Sequence, residues 1–131
     1  MVSKIEEASM KFYRCPMCGN IIAKVHDSGV PVQCCGKPME ELIPNTGDGA
    51  GEKHVPVYKR EGGEIVVRIG SVDHPMLDNH FIEWVVIETK AGNQRKTLKP
   101  GQIPEVRFLV KEDDEVVAVY AYCNLHGLYK A

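Results

Sequence analysis

Four of the five cysteines lie within the first 35 residues, and this cluster limits the possible fold more than any other feature. Two of them form Cys15-Pro-Met-Cys18, and after fifteen intervening residues two adjacent ones follow as Cys34-Cys35. Two thiols separated by two residues can grip one metal ion from a single turn, so the spacing predicts a metal site. The segment up to about residue 43 has few apolar side chains, and a unit this short rarely folds without a staple such as a metal.

The adjacent cysteines place a condition on the backbone. Neighbouring side chains of an extended strand point to opposite faces. Cys34 and Cys35 can therefore reach one ion only if the chain turns there, and Gly36 suits such a turn. Four thiolates suit either iron or zinc, and the spacing does not choose between a redox centre and a zinc knuckle that only staples the fold. A disulfide pair is the weaker alternative, because the cysteine count is odd.

Glycine, proline and small polar residues fill positions 44–51, which marks a boundary. We predict a metal module over residues 1–43, a linker over 44–51 and a β-domain over 52–131. In the β-domain we expect short strands at 55–60, 64–69, 81–90, 94–98, 106–111 and 116–122, with Glu61-Gly62-Gly63 as a hairpin turn. No segment has convincing helical periodicity. The fold class predicted is mainly β, a small metal module followed by an immunoglobulin-like antiparallel sandwich.

Composition excludes several classes of protein. The net charge of −2 argues against nucleic-acid binding through a general positive field. No apolar run approaches the roughly 18 residues that span a membrane. Residues 1–7 are partly acidic and lack an apolar core, so we expect no secretory signal and a cytoplasmic protein.

The β-domain contains a second group of candidate ligands, which are His54, His74, His80, Cys123 and His126. Each lies at a predicted strand end or in a predicted loop, and the loops of a sandwich gather at its two ends. A solvated surface residue is the ordinary interpretation of any one histidine, but the shared placement favours a common site. His26 lies outside this pattern, and we interpret it as a solvated loop residue without a role.

Five protein ligands fit structural zinc poorly, because zinc is normally four-coordinate, whereas imidazoles also suit iron, copper and nickel. Four imidazoles in a plane with one axial thiolate would leave a position open opposite the sulfur, and the thiolate would donate electron density along that axis. With ferrous iron, such an open and electron-rich site suits the binding of a small oxygen anion. Glu52 and Lys53 directly precede His54. They are either a solvated charge pair or functional groups, with Lys53 attracting the anion and Glu52 serving as a ligand of ferric iron.

These motifs resemble a known family. The Cys15–Cys18 pair with Gln33-Cys-Cys-Gly36 is similar to the desulforedoxin module. The runs Glu52-Lys-His-Val-Pro56 and Cys123-Asn-Leu-His-Gly127, with His74-Pro-Met76 and His80 between them, are similar to the neelaredoxin-like domain. In this order, over essentially the whole chain, they resemble the desulfoferrodoxin family.

The resemblance implies a superoxide reductase with two irons per chain, which defends against oxidative stress. Cys15, Cys18, Cys34 and Cys35 would bind a rubredoxin-like ferric iron. His54, His74, His80 and His126 would be equatorial ligands of the catalytic iron, with Cys123 axial. Lys53 would assist delivery of superoxide and protons, and Glu52 would ligate the ferric state. The resemblance also implies a homodimer that receives electrons from rubredoxin or a similar carrier.

Two other functions are possible from the residues. One is a two-iron electron carrier without substrate turnover, which an open coordination position disfavours because carriers avoid ligand exchange. The other is a zinc-ribbon interaction module, which explains only the first four cysteines and predicts about two zinc ions per chain.

Overall fold

The computed structural model describes residues 10–131, and the chain divides into two compact units between Ile43 and Pro44. The expectation about a secretory signal in residues 1–7 lies outside the described residues. Within the described part of the chain, no helix is long and apolar enough to cross a membrane.

The first unit consists of short antiparallel strands. One sheet has the order β2-β1-β5, and a second pairs β3 with β4. The strands are β1 (Phe12–Arg14), β2 (Ile21–Ala23), β3 (Gln33–Cys34), β4 (Lys37–Pro38) and β5 (Glu40–Glu41). The buried apolar side chains of residues 10–43 are Phe12, Cys15 and Met39. A core of this size contributes little hydrophobic stabilisation, which is why the unit needs another source of stability.

The second unit is a sandwich of two antiparallel sheets, with strand orders β10-β7-β6 and β12-β11-β8-β9. Its elements are α1 (Gly51–His54), β6 (Pro56–Glu61), β7 (Glu64–Ile69), β8 (Ile82–Thr89), β9 (Asn93–Thr97), β10 (Glu105–Leu109), β11 (Val116–Cys123) and β12 (Gly127–Lys130). This confirms the predicted mainly β fold of a cysteine module followed by a sandwich. The short strand β12 and the single helical turn α1 were not predicted, because neither is long enough to show a period.

Apolar side chains from both sheets fill the space between them. Val67 of β7 and Phe108 of β10 pack with Val85 of β8 and Val119 of β11 in one cluster, and all four are fully buried. The predicted turn at Glu61-Gly62-Gly63 joins β6 to β7, and Gly62 adopts a φ of +59°, a conformation that glycine tolerates best. This core holds the ends of the strands in fixed positions.

The strand register brings five strand ends together. Pro56 pairs with Ile69, so the start of β6 lies beside the end of β7. Cys123 pairs with both Ile82 and Gly127, so the end of β11 lies beside the starts of β8 and β12. His54, His80, Cys123 and His126 lie at or within two residues of these strand ends, and His74 lies in the loop that follows β7.

Candidate metal centres

The four cysteines of the first unit lie around one point. Their Sγ atoms are all within 4.8 Å of one another. The Cys18 and Cys34 sulfurs are 3.6 Å apart, close to the edge of about 3.8 Å expected for a tetrahedron of thiolates with metal–sulfur bonds of about 2.3 Å. The cysteines of the described chain are free thiols, which leaves the disulfide alternative without support.

The backbone turns where the adjacent cysteines require it. Cys35 has a φ of +53° and Gly36 a φ of +75°, so the chain leaves the extended conformation there and both thiols face the same point. Cys15 is fully buried, whereas Cys18 and Cys35 are exposed. The centre therefore has one side in the protein and one side in solvent.

The crowding of four sulfurs alters their acidity. The Cys18 backbone N–H, which donates to the Cys15 sulfur over 3.4 Å, is the main cause that lowers the pKa of Cys15 to about 6. The neighbouring Cys18 and Cys15 raise the pKa of Cys35 to about 12. The Cys15 thiol therefore loses its proton readily, whereas the Cys35 thiol holds its proton. All four cysteines can be thiolates at the same time only around a cation.

In the second unit, three histidines and a cysteine form the corresponding group. The ligand atoms of His54, His74, His80 and Cys123 all lie within 4.8 Å of one another. His126 stands beside this group, with its Nδ1 atom 3.1 Å from His54 Nε2 and 3.7 Å from Cys123 Sγ. The structure thus brings together every residue of the predicted second constellation. His26 is exposed in the first unit and takes no part.

The four imidazoles are arranged as the corners of a square. Neighbouring ring centroids are separated by 4.5 Å (His54–His74), 4.7 Å (His74–His80), 5.1 Å (His80–His126) and 4.8 Å (His126–His54). The diagonal from His54 to His80 is 6.2 Å. Neighbouring rings are nearly perpendicular, at 71° to 89°. A square of imidazoles is an arrangement that suits four ligands of one ion.

Hydrogen bonds on the outer side of two rings fix their tautomers. His54 Nδ1 lies 2.7 Å from the Ala50 carbonyl oxygen, and His74 Nδ1 lies 2.6 Å from the Pro75 carbonyl oxygen. A carbonyl only accepts, so each Nδ1 carries the hydrogen and each Nε2 of the neutral ring presents a lone pair.

Those two lone pairs face each other. The Nε2 atoms of His54 and His74 are 3.1 Å apart, and neither can donate a hydrogen bond in this tautomer. His80 Nε2 is also buried and has no hydrogen-bond partner. A cation between the nitrogens removes the repulsion, and bonds of about 2.1 Å to a square of nitrogens place neighbours about 3.0 Å apart. The donor set therefore fits a metal ion.

Burial keeps these groups in the form that a metal requires. Burial lowers the pKa of His74 to about 4 and is also the main cause that lowers the pKa of His54 and of His80. The imidazoles of His54, His74 and His80 are therefore neutral ligands near pH 7. Burial raises the pKa of the Cys123 thiol, so its ionisation depends on a nearby cation. Cys123 is fully buried while His80 and His126 are partly exposed, and solvent reaches the site past the imidazoles and not past the sulfur.

Glu52 and Lys53 lie on α1, directly before His54, and both side chains are exposed. The positive charge of Lys53 adds a smaller contribution to the lowered pKa of His54 and His80, after that of burial. The Glu52 carbonyl oxygen accepts a hydrogen bond from the Val72 amide over 2.9 Å, which fastens α1 to the loop after β7.

The sequence did not predict the groups that contact the ligand histidines outside the metal site. The Ala50 and Pro75 carbonyls are backbone atoms and leave no signal in residue type. Tyr129 packs against His54 with ring centroids 4.7 Å apart. An aromatic residue in the last strand gave no reason to connect it with a site more than seventy positions earlier.

The fold and these two centres define a class of protein, a two-centre metalloprotein with a four-cysteine module and a β-sandwich carrying a histidine–cysteine site. The profile of the desulfoferrodoxin N-terminal domain matches residues 7–42, and the desulfoferrodoxin profile matches residues 46–131. The chain belongs to the desulfoferrodoxin family. Both ligand sets fit the two-iron architecture of that family.

Individual relatives agree with this assignment. A desulfoferrodoxin homolog of Archaeoglobus fulgidus is 44% identical over 122 residues, covering 93% of this chain and 96% of that protein. The crystal structure of the superoxide reductase from Treponema pallidum is similar over 95% of this chain and 99% of that one, with a TM-score of 0.80 and 35% identity. The superoxide reductase (1Fe-SOR) from Giardia intestinalis covers 61% of this chain and 95% of its own, with a TM-score of 0.51 and 33% identity.

Proposed function

We propose that this protein is a superoxide reductase, which adds one electron and two protons to superoxide and releases hydrogen peroxide. The observation that carries the proposal is the square of imidazoles beside a buried thiol, in which the His54 and His74 lone pairs face each other over 3.1 Å. The similarity to the superoxide reductases of Treponema pallidum and Giardia intestinalis supports it. An iron held by these residues would supply the electron and a coordination position for a small oxygen anion.

We assign the ligands by residue. His54, His74, His80 and His126 would be equatorial and Cys123 axial, while Cys15, Cys18, Cys34 and Cys35 would hold the second iron. His126 differs from the others, since its Nδ1 atom faces the site. The buried sulfur of Cys123 on one side and the partly exposed rings on the other leave the solvent side for substrate.

The residues around the site have separate tasks in this reaction. The Lys53 ammonium attracts the superoxide anion, and it stabilises the negative charge that grows on oxygen as the electron arrives. The two protons come from solvent, and Lys53 assists their delivery. Glu52, next to Lys53 on α1, would serve as a carboxylate ligand in the ferric resting state.

The reduced, iron-loaded protein should consume superoxide and form about one hydrogen peroxide per superoxide. Dioxygen should not appear as product, because the electron comes from the protein and then from an external donor. Pulse-generated superoxide followed by peroxide assay measures this. A reduced protein that stays reduced after mixing would favour the electron-carrier alternative instead.

Replacing Lys53 by alanine should slow the second-order reaction with superoxide by about tenfold, because local positive charge raises the encounter rate of an anion. The rate should also depend less on ionic strength. Stopped-flow traces at several salt concentrations measure both effects. Lys111→Ala is the matched control, since it removes the same charge from the loop between β10 and β11 at the other end of the sandwich. Equal rates for the two variants would remove the steering role of Lys53.

Several broader features belong to the same proposal. We infer that residues 1–43 and 52–131 act as separate domains, which the boundary between Ile43 and Pro44 supports, whereas the predicted linker 44–51 groups with the sandwich. A cytoplasmic location is part of the same proposal, since the five cysteines are assigned as metal ligands and not as disulfides. Rubredoxin or a similar small carrier would serve as electron donor, and the chain would form a homodimer, as the family resemblance implies.

A further inference from the structure

The segment expected to be a linker is fastened to the sandwich. Asn45 makes a pair of side-chain hydrogen bonds with Lys130, from Asn45 Nδ2 to the Lys130 carbonyl (3.1 Å) and from the Lys130 amide to Asn45 Oδ1 (2.9 Å). The Asn45 amide also donates to the Leu128 carbonyl over 2.9 Å. Four residues later, the Gly49 amide donates to the Tyr129 hydroxyl over 3.1 Å. Residues 45–50, called the 45–50 loop below, are thus attached to β12 at both ends.

The 45–50 loop contacts the His54 ring and accepts its Nδ1 hydrogen bond. The Ala50 carbonyl takes the Nδ1 hydrogen of His54, and the backbone of Gly49 lies against the ring, since a Cβ there would sit 2.6 Å from His54 Cε1. Tyr129 has only 3% of its surface exposed, and its ring contacts the same imidazole. One tyrosine therefore contacts the ligand with its ring and the loop with its hydroxyl.

The same loop also reaches a second ligand. Because His126 turns Nδ1 toward the site, the hydrogen of its neutral ring lies on Nε2, which points away from the site. Asp48 Oδ1 lies 3.9 Å from that Nε2 atom. The Asp48 side chain is 97% exposed, so no packing contact holds it at that distance. Carboxylates in this position orient a ligand histidine and make it a stronger donor.

We propose that Asp48 and Tyr129 are positioning residues for the catalytic metal site, acting through His126 and His54 respectively. The inference rests on the proposed metal site. Asp48 selects the Nε2–H tautomer of His126 and increases electron donation from Nδ1, which favours the ferric state. The Tyr129 hydroxyl keeps the 45–50 loop, and with it the Ala50 carbonyl, in place behind His54.

Asp48→Asn should raise the reduction potential of the histidine-site iron and shift its ferric absorption maximum, because the amide polarises His126 less than the carboxylate does. Asp48→Glu should restore most of the native potential. Asp78→Asn is the matched control, since Asp78 is an exposed carboxylate of the loop between His74 and His80. Redox titration of the full-length, iron-loaded proteins compares the three. Equal shifts in Asp48→Asn and Asp78→Asn would overturn the role of Asp48, leaving only a general charge effect.

The Tyr129→Phe substitution keeps the aromatic ring against His54 and removes the hydrogen bond that the Gly49 amide donates to the tyrosine hydroxyl. Iron loss from the histidine site to a chelator should become faster by up to about tenfold, the lower end of the effect of supporting groups on metal affinity. The control is Tyr120→Phe, which also removes a buried hydroxyl, one that donates to Glu88 over 2.8 Å. Faster iron loss in Tyr129→Phe than in Tyr120→Phe supports the proposal, and equal rates would overturn the role of Tyr129.

The native protein separates the two levels of inference. If it binds iron at only the four-cysteine centre, the proposed function fails, and the positioning roles fail with it. If it binds two irons and the variants match their controls, only the positioning roles are wrong.

Discussion

Replacing Cys123 by serine should abolish the sulfur-to-iron charge-transfer band of the histidine site. The rate of superoxide reduction should fall by at least about 100-fold, because even supporting groups of metal ligands contribute 10–100-fold and this change removes a ligand itself. Cys123 is fully buried at the end of β11. The serine hydroxyl is far less acidic than a thiol, so it would stay neutral and supply little electron density along the axis.

The four-cysteine centre provides an internal control in the same sample. Its absorption should be unchanged in Cys123→Ser, since its ligands belong to the other compact unit. Visible and electron paramagnetic resonance spectra of the ferric protein measure both centres together. A histidine-site band that survives the substitution would rule out axial ligation by Cys123.

Replacing Cys15 by serine should remove the metal of the four-cysteine centre and leave the histidine site intact. Cys15 is a fully buried ligand in a unit whose buried apolar side chains within residues 10–43 are Phe12, Cys15 and Met39. Structural zinc contributes about 10–16 kcal/mol at pH 7 to the folding of zinc-finger peptides, which exceeds what such a core provides, and a metal held by these four thiolates should stabilise the unit in the same way. Loss of the metal should therefore unfold residues 10–43.

Hydrogen exchange measured by mass spectrometry separates the two units. Amides of residues 10–43 should exchange within seconds in Cys15→Ser, while those of β7, β8 and β11 keep their protection. Iron content should fall from two to one per chain, and superoxide reduction should remain within about twofold of the native rate. An inactive Cys15→Ser protein would contradict the independence of the units.

Residue types and spacing carried much of the prediction. The Cys15–Cys18 pair indicated one metal centre, and the adjacent Cys34 and Cys35 required a turn that the positive φ values of Cys35 and Gly36 supply. These signals were readable because the ligands are close in sequence. The turn at Glu61-Gly62-Gly63 predicted the hairpin of β6 and β7 for the same reason, since a hairpin is a local structure.

The sequence did not predict which strands pair with one another in the two sheets. The segments at 105–109 and 116–123 follow one another, yet β10 pairs with β7 in one sheet and β11 with β8 in the other. Their pairing depends on which apolar faces meet in the core, and short alternating strands look alike in sequence. The structure therefore decided which strand ends would meet at the site.

The sequence by itself determined which side chains could bind metal, because thiols and imidazoles are recognisable wherever they occur. Only the tertiary structure decided how they bind. It turned the Nδ1 hydrogens of His54 and His74 toward the Ala50 and Pro75 carbonyls, so that two Nε2 lone pairs face each other. It also tied the expected linker to Tyr129. Backbone carbonyls are present at every residue, so their effect depends on where the folded chain places them.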